Sequence, residues 1–242
     1  MPLNLKAVLF DLDDTLIEND MAQFGPAFYK LFAQRCAAWI EPDRLIAALS
    51  AALQAVLHHD DPNITNEERF WREFPTLVPL PAEILRELVD RFYAEDFPQL
   101  QYLVRTRPGA CQVVSEAKAR NLRTVLATNP MFPSAAVVQR MEWAGLHPSE
   151  FTHITTLENA HACKPSAHYF AEVLSLIGVQ PHEALMIGDD WRLDIAPAIA
   201  LGLRTYWLNS RGRTRPAQTP LPEADGTWPE FVAWWQKITS EN

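Results

Sequence analysis

The chain has 242 residues, 48% of them hydrophobic and 21% charged. This balance excludes a mainly disordered protein and suggests one large domain, or a domain with a sizeable insertion. The formal charge of −9 argues against bulk binding to nucleic acid or to an anionic membrane, since both need a cationic surface. Cys36, Cys111 and Cys163 lie far apart, with neither zinc-knuckle nor redox spacing, and are expected to be packed thiols in a reducing compartment. No signal peptide is expected from the first residues and no apolar run approaches the ~20 residues of a membrane span, so a cytoplasmic location is the default expectation.

In chain order, Ala7 to Phe10 is short, apolar and β-compatible, as a central parallel strand covered on both faces would be. It stops at a burst of acids, Asp11, Asp13 and Asp14. From Ile17 to Arg105 the pattern turns helical. Phe24, Phe28, Leu31 and Phe32 recur at helical spacing, as do Leu45 to Leu57 and Ile84 to Phe92, and Pro42 and Pro81 stand where helices begin. About four helices and no strand are expected there. This block holds 14 acidic and 8 basic residues against 16 and 13 in the remainder, so most of the net charge belongs to the block.

After Arg107 strands and helices alternate. Pro108-Gly109 opens a helix to about Arg120, Thr124 to Ala127 reads as a strand, Ser134 to Trp143 as a helix and Phe151 to Thr155 as a short strand. Pro165 to Ile177 is helical, Ala184 to Ile187 a strand, Leu193 to Leu201 helical, Thr205 to Leu208 a strand and Pro229 to Ile238 a last helix. Alternation with short links predicts an α/β fold with a Rossmann-like parallel sheet flanked by helices. Gly145, Gly178 and Gly202 follow helices, where glycine most easily takes a left-handed backbone. Gly188 follows a strand instead. Arg211 to Thr219, with three arginines and a proline, reads as a solvated loop, the other reading being a basic lip that steers phosphate.

Ligands of open parallel sheets bind beyond the carboxyl ends of the strands. Those ends carry Asp11, Asp13, Asp14 and Thr15, then Thr128 and Asn129, then Gly188, Asp189 and Asp190, with Lys164 before a helix. Crowded carboxylates raise one another's pKa, and a cation relieves this. Hard oxygen donors without a nearby histidine or thiol favour Mg²⁺, which commonly serves phosphoryl transfer. The lysine and threonine would supply partners for phosphoryl oxygens. Each piece alone reads as a turn, a cap or a solvated side chain; it is their order along the sheet that points to a site.

This combination resembles the haloacid dehalogenase-like (HAD) hydrolase superfamily, in its C1-capped phosphatase branch. The resemblance is carried by DLDDT at Asp11 to Thr15, ATN at Ala127 to Asn129, Lys164 in CKP, and GDDWRLD at Gly188 to Asp194. It implies a HAD-like catalytic core over 1–16 and 106–242, and an inserted helical C1 cap domain over 17–105 that closes over the site and excludes water. It implies Mg²⁺-dependent hydrolysis of a small phosphorylated metabolite, with Asp11 as nucleophile giving an aspartyl-phosphate and Asp13 as acid and base. Two residues apart in extended chain, they share a face. Mg²⁺ would be held by Asp11, the backbone carbonyl of Asp13, and Asp189. Thr128 and the amide of Asn129 would hold phosphoryl oxygens, and Lys164 would balance their charge. Of Asp190 and Asp194, one would reach the metal through water and the other would orient Lys164.

Dehalogenases of this superfamily lack an acid at the position of Asp13, because a halide leaves unprotonated, so its presence favours a phosphatase. Phosphonatases need a cap lysine, and the block from 17 to 105 has only Lys30. A sugar-phosphate mutase of the same fold and a non-catalytic phosphate-ligand binding protein are the alternatives. Asn19, Phe24, Arg69, Trp71 and Arg72 are candidate leaving-group contacts, with packing for the aromatics and solvation for the arginines as the plainer reading. His58, His59 and His161 read as surface or packing residues. Trp228, Phe231, Trp234 and Trp235 are expected to pack the last helix on the sheet; any exposed remainder would be a dimer patch, so a monomer or a homodimer is expected.

Overall fold

The computed structural model describes residues 4–58, 61–217 and 219–240. Six parallel strands form the main sheet: β1 (Ala7–Phe10), β4 (Arg123–Leu126), β5 (His153–Ile154), β6 (Ala184–Gly188), β7 (Arg204–Leu208) and β8 (Ala224–Gly226), in the order β5-β4-β1-β6-β7-β8. Two further two-residue strands, β2 (Ile17–Glu18) and β3 (Arg105–Thr106), pair antiparallel as a separate ribbon.

Alternation along β1 divides the core. Val8 and Phe10 face one side and Ala7 and Leu9 the other, and all four are fully buried. The Val8 side carries α5 (Ala110–Ala119), α6 (Ser134–Trp143) and α9 (Trp228–Ser240); the Ala7 side carries α7 (Ala167–Ile177) and α8 (Ala196–Leu201). Covered on both faces, β1, β4, β6 and β7 are largely apolar runs, which is why the sequence pattern locates them. On α9, Phe231 and Trp234 pack on Tyr206 of β7, and the indole N–H of Trp228 donates to the Pro108 carbonyl, 2.8 Å away. The expected packing role of this aromatic cluster therefore holds.

Between the two strands of the ribbon run α1 (Met21–Cys36), α2 (Pro42–Leu57), α3 (Asn66–Leu77) and α4 (Ala82–Arg91). Phe24, Phe28 and Phe32 of α1 are buried against Phe92 and Phe97, ring against ring, an arrangement that adds about 0.5–1.5 kcal/mol per pair to simple burial. Thr65 and Glu68 close a reciprocal cap at the start of α3. The first turn of α3 is bonded directly to the sheet-bearing part, Asn66 N–H to the Ala160 carbonyl and Glu67 N–H to that of Leu157, each at 2.8 Å.

Three strands escape the sequence pattern. The block from Ile17 to Arg105 was expected to hold none, yet β2 and β3 lie at its two ends; two residues are too few to show a period. The strand β8 is Ala-Asp-Gly at the sheet edge, half exposed, and its sequence reads as a turn. No helix among the described residues is long and apolar enough to cross a membrane.

Candidate active site

The chain leaves β1 toward β4 on one side and returns to β6 on the other, so the crevice between β1 and β6 lies where the strand order reverses. Asp11 stands at the end of β1, its N–H donating to the Ile187 carbonyl of β6 at 2.9 Å. Asp189 follows β6 directly. Lys164 is buried between carboxylates: its Nζ donates to Asp11 Oδ1 at 2.9 Å and to Asp194 Oδ1 at 2.6 Å. Charged hydrogen bonds of this length inside a protein are strong and set the lysine's direction. Asp194 reaches this position from the wide turn Trp191–Ile195, whose chain packs against Gly188. A Cβ on Gly188 would collide with the Asp194 carboxylate, so the glycine is required by close approach, not by a turn.

Asp194 is thus the acid that orients Lys164, and its second oxygen accepts from Asp190 N–H at 3.0 Å. The Asp190 carboxylate caps its own turn, accepting from the N–H groups of Arg192 and Leu193. At the end of β4, the Thr128 carbonyl accepts from the Tyr169 hydroxyl at 2.9 Å and from Thr155 at 2.7 Å, and Asn129 Oδ1 accepts from Lys164 N–H at 3.1 Å. All the predicted site residues therefore gather at one end of the sheet.

Asp13 is held separately. Asn19 Nδ2 donates to its Oδ1 at 2.6 Å, and Arg140 Nη1 reaches both its oxygens at 2.9 Å. Arg140, on α6, is 1% exposed, and its guanidinium stacks 4.6 Å over the Phe132 ring. The sequence reading passed over Arg140. Its signal was available: it continues the buried face of α6 set by Ala136, Val137 and Met141, where a charged residue needs a partner.

The loop expected to be solvated is engaged at two points. Arg213 pairs with Asp189 Oδ2 at 2.7 Å and Arg211 with Asp14 Oδ2 at 2.6 Å. Both acids lie at the crowded strand ends, and that local excess of negative charge draws the arginines in. Asp14 also takes a left-handed backbone with φ 54°, uncommon for a residue other than glycine. Of the proposed leaving-group contacts, Asn19 binds Asp13 and Phe24 is core. Arg69 is not solvated but buried, donating to Asn66 and to the His161 carbonyl. Arg72 is exposed. His58 bonds back to the Gln54 carbonyl, His161 bonds Glu172, and His59 lies outside the described residues. Cys36, Cys111 and Cys163 form no disulfide.

Carboxylate oxygens of Asp11, Asp189 and Asp194 lie within 4.8 Å of one another. Burial pushes the Asp11 carboxyl up to about 7, with Lys164 pulling the other way and Asp194 and Asp13 adding to the rise. Burial, then Asp11, pushes Asp189 up to about 6 against the pull of Arg213. Burial also works against the Lys164 charge, but Asp11 and Asp194 outweigh it and hold the lysine protonated. Hard oxygen donors, crowded and under-compensated, fit a small divalent cation such as Mg²⁺.

A sign follows for stability. Both carboxyls have folded pKa values above the ordinary range near 4, so the cation-free folded chain binds more protons than the unfolded chain between about pH 4 and 7. Their contribution is complete below that window and is lost as pH rises through 6 to 7. A divalent cation prefers the deprotonated acids. Added Mg²⁺ is therefore expected to raise Tm, and by more at pH 8 than at pH 5. A thermal-shift series in which the increment shrinks with pH contradicts the assignment.

The haloacid dehalogenase-like hydrolase family model matches residues 5–202, and the chain belongs to that family. It is 26% identical over 227 residues to a ribulose-1,5-bisphosphate 5-phosphatase of Halopiger xanaduensis, across 91% of this chain and 87% of that protein. It is 30% identical over 142 residues to a phosphoserine phosphatase of Thermus thermophilus, 59% of this chain and 54% of the relative. Against the N-acylneuraminate-9-phosphatase of Mus musculus the match is 37% over 60 residues; there the chain spans about a quarter of the relative's length, 24%. Among solved structures, a 2-haloacid dehalogenase of Pseudomonas syringae superposes with TM-score 0.64 at 23% identity, over 96% of this chain and 99% of the other. A HAD phosphatase of Thermococcus onnurineus does so with TM-score 0.59 at 21% identity, over 95% and 97%. At these identities the two structures establish the fold.

Proposed function

We propose that the protein is a Mg²⁺-dependent phosphatase that hydrolyses a small phosphomonoester through an aspartyl-phosphate on Asp11. The observation that carries the reading is the second acid. Asp13 is fixed beside the site by Asn19 and Arg140, and a leaving alkoxide needs a proton that a halide does not. The relatives named above as phosphatases support the same reaction, while the substrates in their names differ.

In this reading an Asp11 oxygen attacks phosphorus in line as the bond to the leaving oxygen breaks. Asp13 gives that oxygen its proton, then takes one from the water that attacks the aspartyl-phosphate, releasing phosphate and restoring Asp11. Thr128, the Asn129 amide and Lys164 hold the phosphoryl oxygens in place. Asp11, the Asp13 carbonyl and Asp189 would hold Mg²⁺, which supplies charge neutralisation at the phosphoryl group. Asp194 keeps Lys164 aimed at Asp11, and Arg213 would leave Asp189 when the cation binds. Residues 17–105 serve as a cap over a core of 1–16 and 106–242, excluding water from the aspartyl-phosphate until it is needed.

The test is turnover of p-nitrophenyl phosphate. Activity is expected with Mg²⁺, its loss with EDTA and its return on adding Mg²⁺ back. Turnover indifferent to EDTA would sink the metal assignment, and no turnover of this or any phosphomonoester would sink the reading.

A further inference from the structure

A cavity of about 430 Å³ lies between helices α1 to α4 on one side and the chain after β4 on the other. Native interiors hold few voids larger than a water molecule, and this volume is in the range of ligand pockets. It adjoins the site at two places. Met21 lines it, and its sulfur is 3.5 Å from the Asn19 amide that binds Asp13. Met131 lines it too, with its sulfur 3.7 Å from the Asn129 amide, and the neighbouring Phe132 ring lies under Arg140. Two unbranched, adaptable side chains of the cavity wall thus touch the side chains that hold Asp13 and the Lys164 backbone.

The walls are mainly aromatic and aliphatic, Phe70, Trp71 and Met131 among them, with the Phe28 ring edge-on to that of Phe132. Among the described residues, the charged groups of the lining are Glu67, Asp90 and Glu158 against one cation, Arg86. That guanidinium is already occupied, stacked 4.2 Å over Trp71 and 3.9 Å from Glu67. A leaving group bearing a carboxylate or a second phosphate would meet excess negative charge on these walls and, among the described residues, no cation without a partner. An uncharged apolar group would lose water-exposed area at no electrostatic cost.

We infer that this cavity receives the alcohol part of the substrate, and that the substrate is the phosphate monoester of an uncharged, largely apolar alcohol. The inference rests on the phosphatase reading and specifies its substrate class.

The test compares three primary alkyl phosphates of similar intrinsic reactivity: 2-phenylethyl phosphate, glycerol 3-phosphate and phosphoserine, each with Mg²⁺. The expected result is a kcat/KM for 2-phenylethyl phosphate roughly ten- to a hundredfold above the other two, mostly through KM. Two variants then fill the cavity from opposite walls. A Cβ on Gly25 of α1 would meet no atom within 4 Å, and Ala135 lines the cavity from α6. Gly25→Leu and Ala135→Leu are each expected to bring the preference for 2-phenylethyl over methyl phosphate down toward one. A melting curve on each variant checks that it folds, and either variant suffices. Turnover that favours phosphoserine or glycerol 3-phosphate overturns the inference and leaves the phosphatase reading standing. So does a preference unmoved in a folded variant. Turnover of none of these esters, nor of p-nitrophenyl phosphate, overturns both.

Discussion

Asp11→Asn is expected to lower kcat toward p-nitrophenyl phosphate by roughly 10⁴-fold or more, the scale at which enzymes lose activity when a covalent nucleophile is removed. The amide has the shape of the carboxylate and still offers an oxygen to Lys164, whose other partner Asp194 is untouched. The fold should survive. It should even gain a little stability at pH 8, because a buried carboxyl whose pKa is pushed up to about 7 is replaced by a neutral group. Lost activity with a retained melting point separates a chemical role from a structural one. A folded variant that keeps more than a hundredth of the turnover removes Asp11 from the reaction.

Lys164→Met has a larger effect on the protein itself. The ammonium is 1% exposed and holds two buried carboxylates. Removing one member of a buried ion cluster strands the others, typically at about 3–5 kcal/mol. At about 2–4 °C per kcal/mol for a chain of this size, Tm measured in EDTA should fall by roughly 6–20 °C, and activity should vanish. Asp194→Asn added to Lys164→Met should restore part of the stability, because the amide still accepts from Asp190 N–H while one stranded charge is gone. Activity should not return. A Tm within a degree of the parent for Lys164→Met, or strict additivity in the double variant, contradicts the buried cluster.

The parts of this molecule legible in the sequence share a physical cause. The strands β1, β4, β6 and β7 are buried on both faces, so their apolar runs mark them; β2, β3 and β8 are short or exposed, so no burial pattern is imposed on their residues. The candidate site acids were legible because they follow strand ends, and Lys164 because it stands before a helix in the same chain order. What holds them was not. Arg140 is 127 residues from Asp13, and Arg213 is 24 from Asp189, with α8 and β7 between them. Such partners are chosen by the closed fold and leave only an indirect trace, such as a charge on an otherwise apolar helix face. Arg69 shows the same limit. It reads as a solvated arginine, yet it ties α3 to the His161 carbonyl because the first turn of α3 docks against residues 157–161.

The ribbon of β2 and β3 carries a consequence for how such a protein is assembled. The chain departs for the helical block at Ile17–Glu18 and comes back at Arg105–Thr106, side by side in one hydrogen-bonded pair. Neighbouring strands are about 4.8 Å apart, so the 86 residues between them close on a gap that a tight turn also spans. To the sheet, the excursion enters and leaves through one socket, whatever its length. A foreign excursion transplanted between Glu18 and Arg105 is expected to leave the strand order and register unaltered, provided that it covers the surface on which α1 and α3 now pack. On the function proposed above, the chemistry and the choice of substrate would then be free to diverge on separate stretches of one chain.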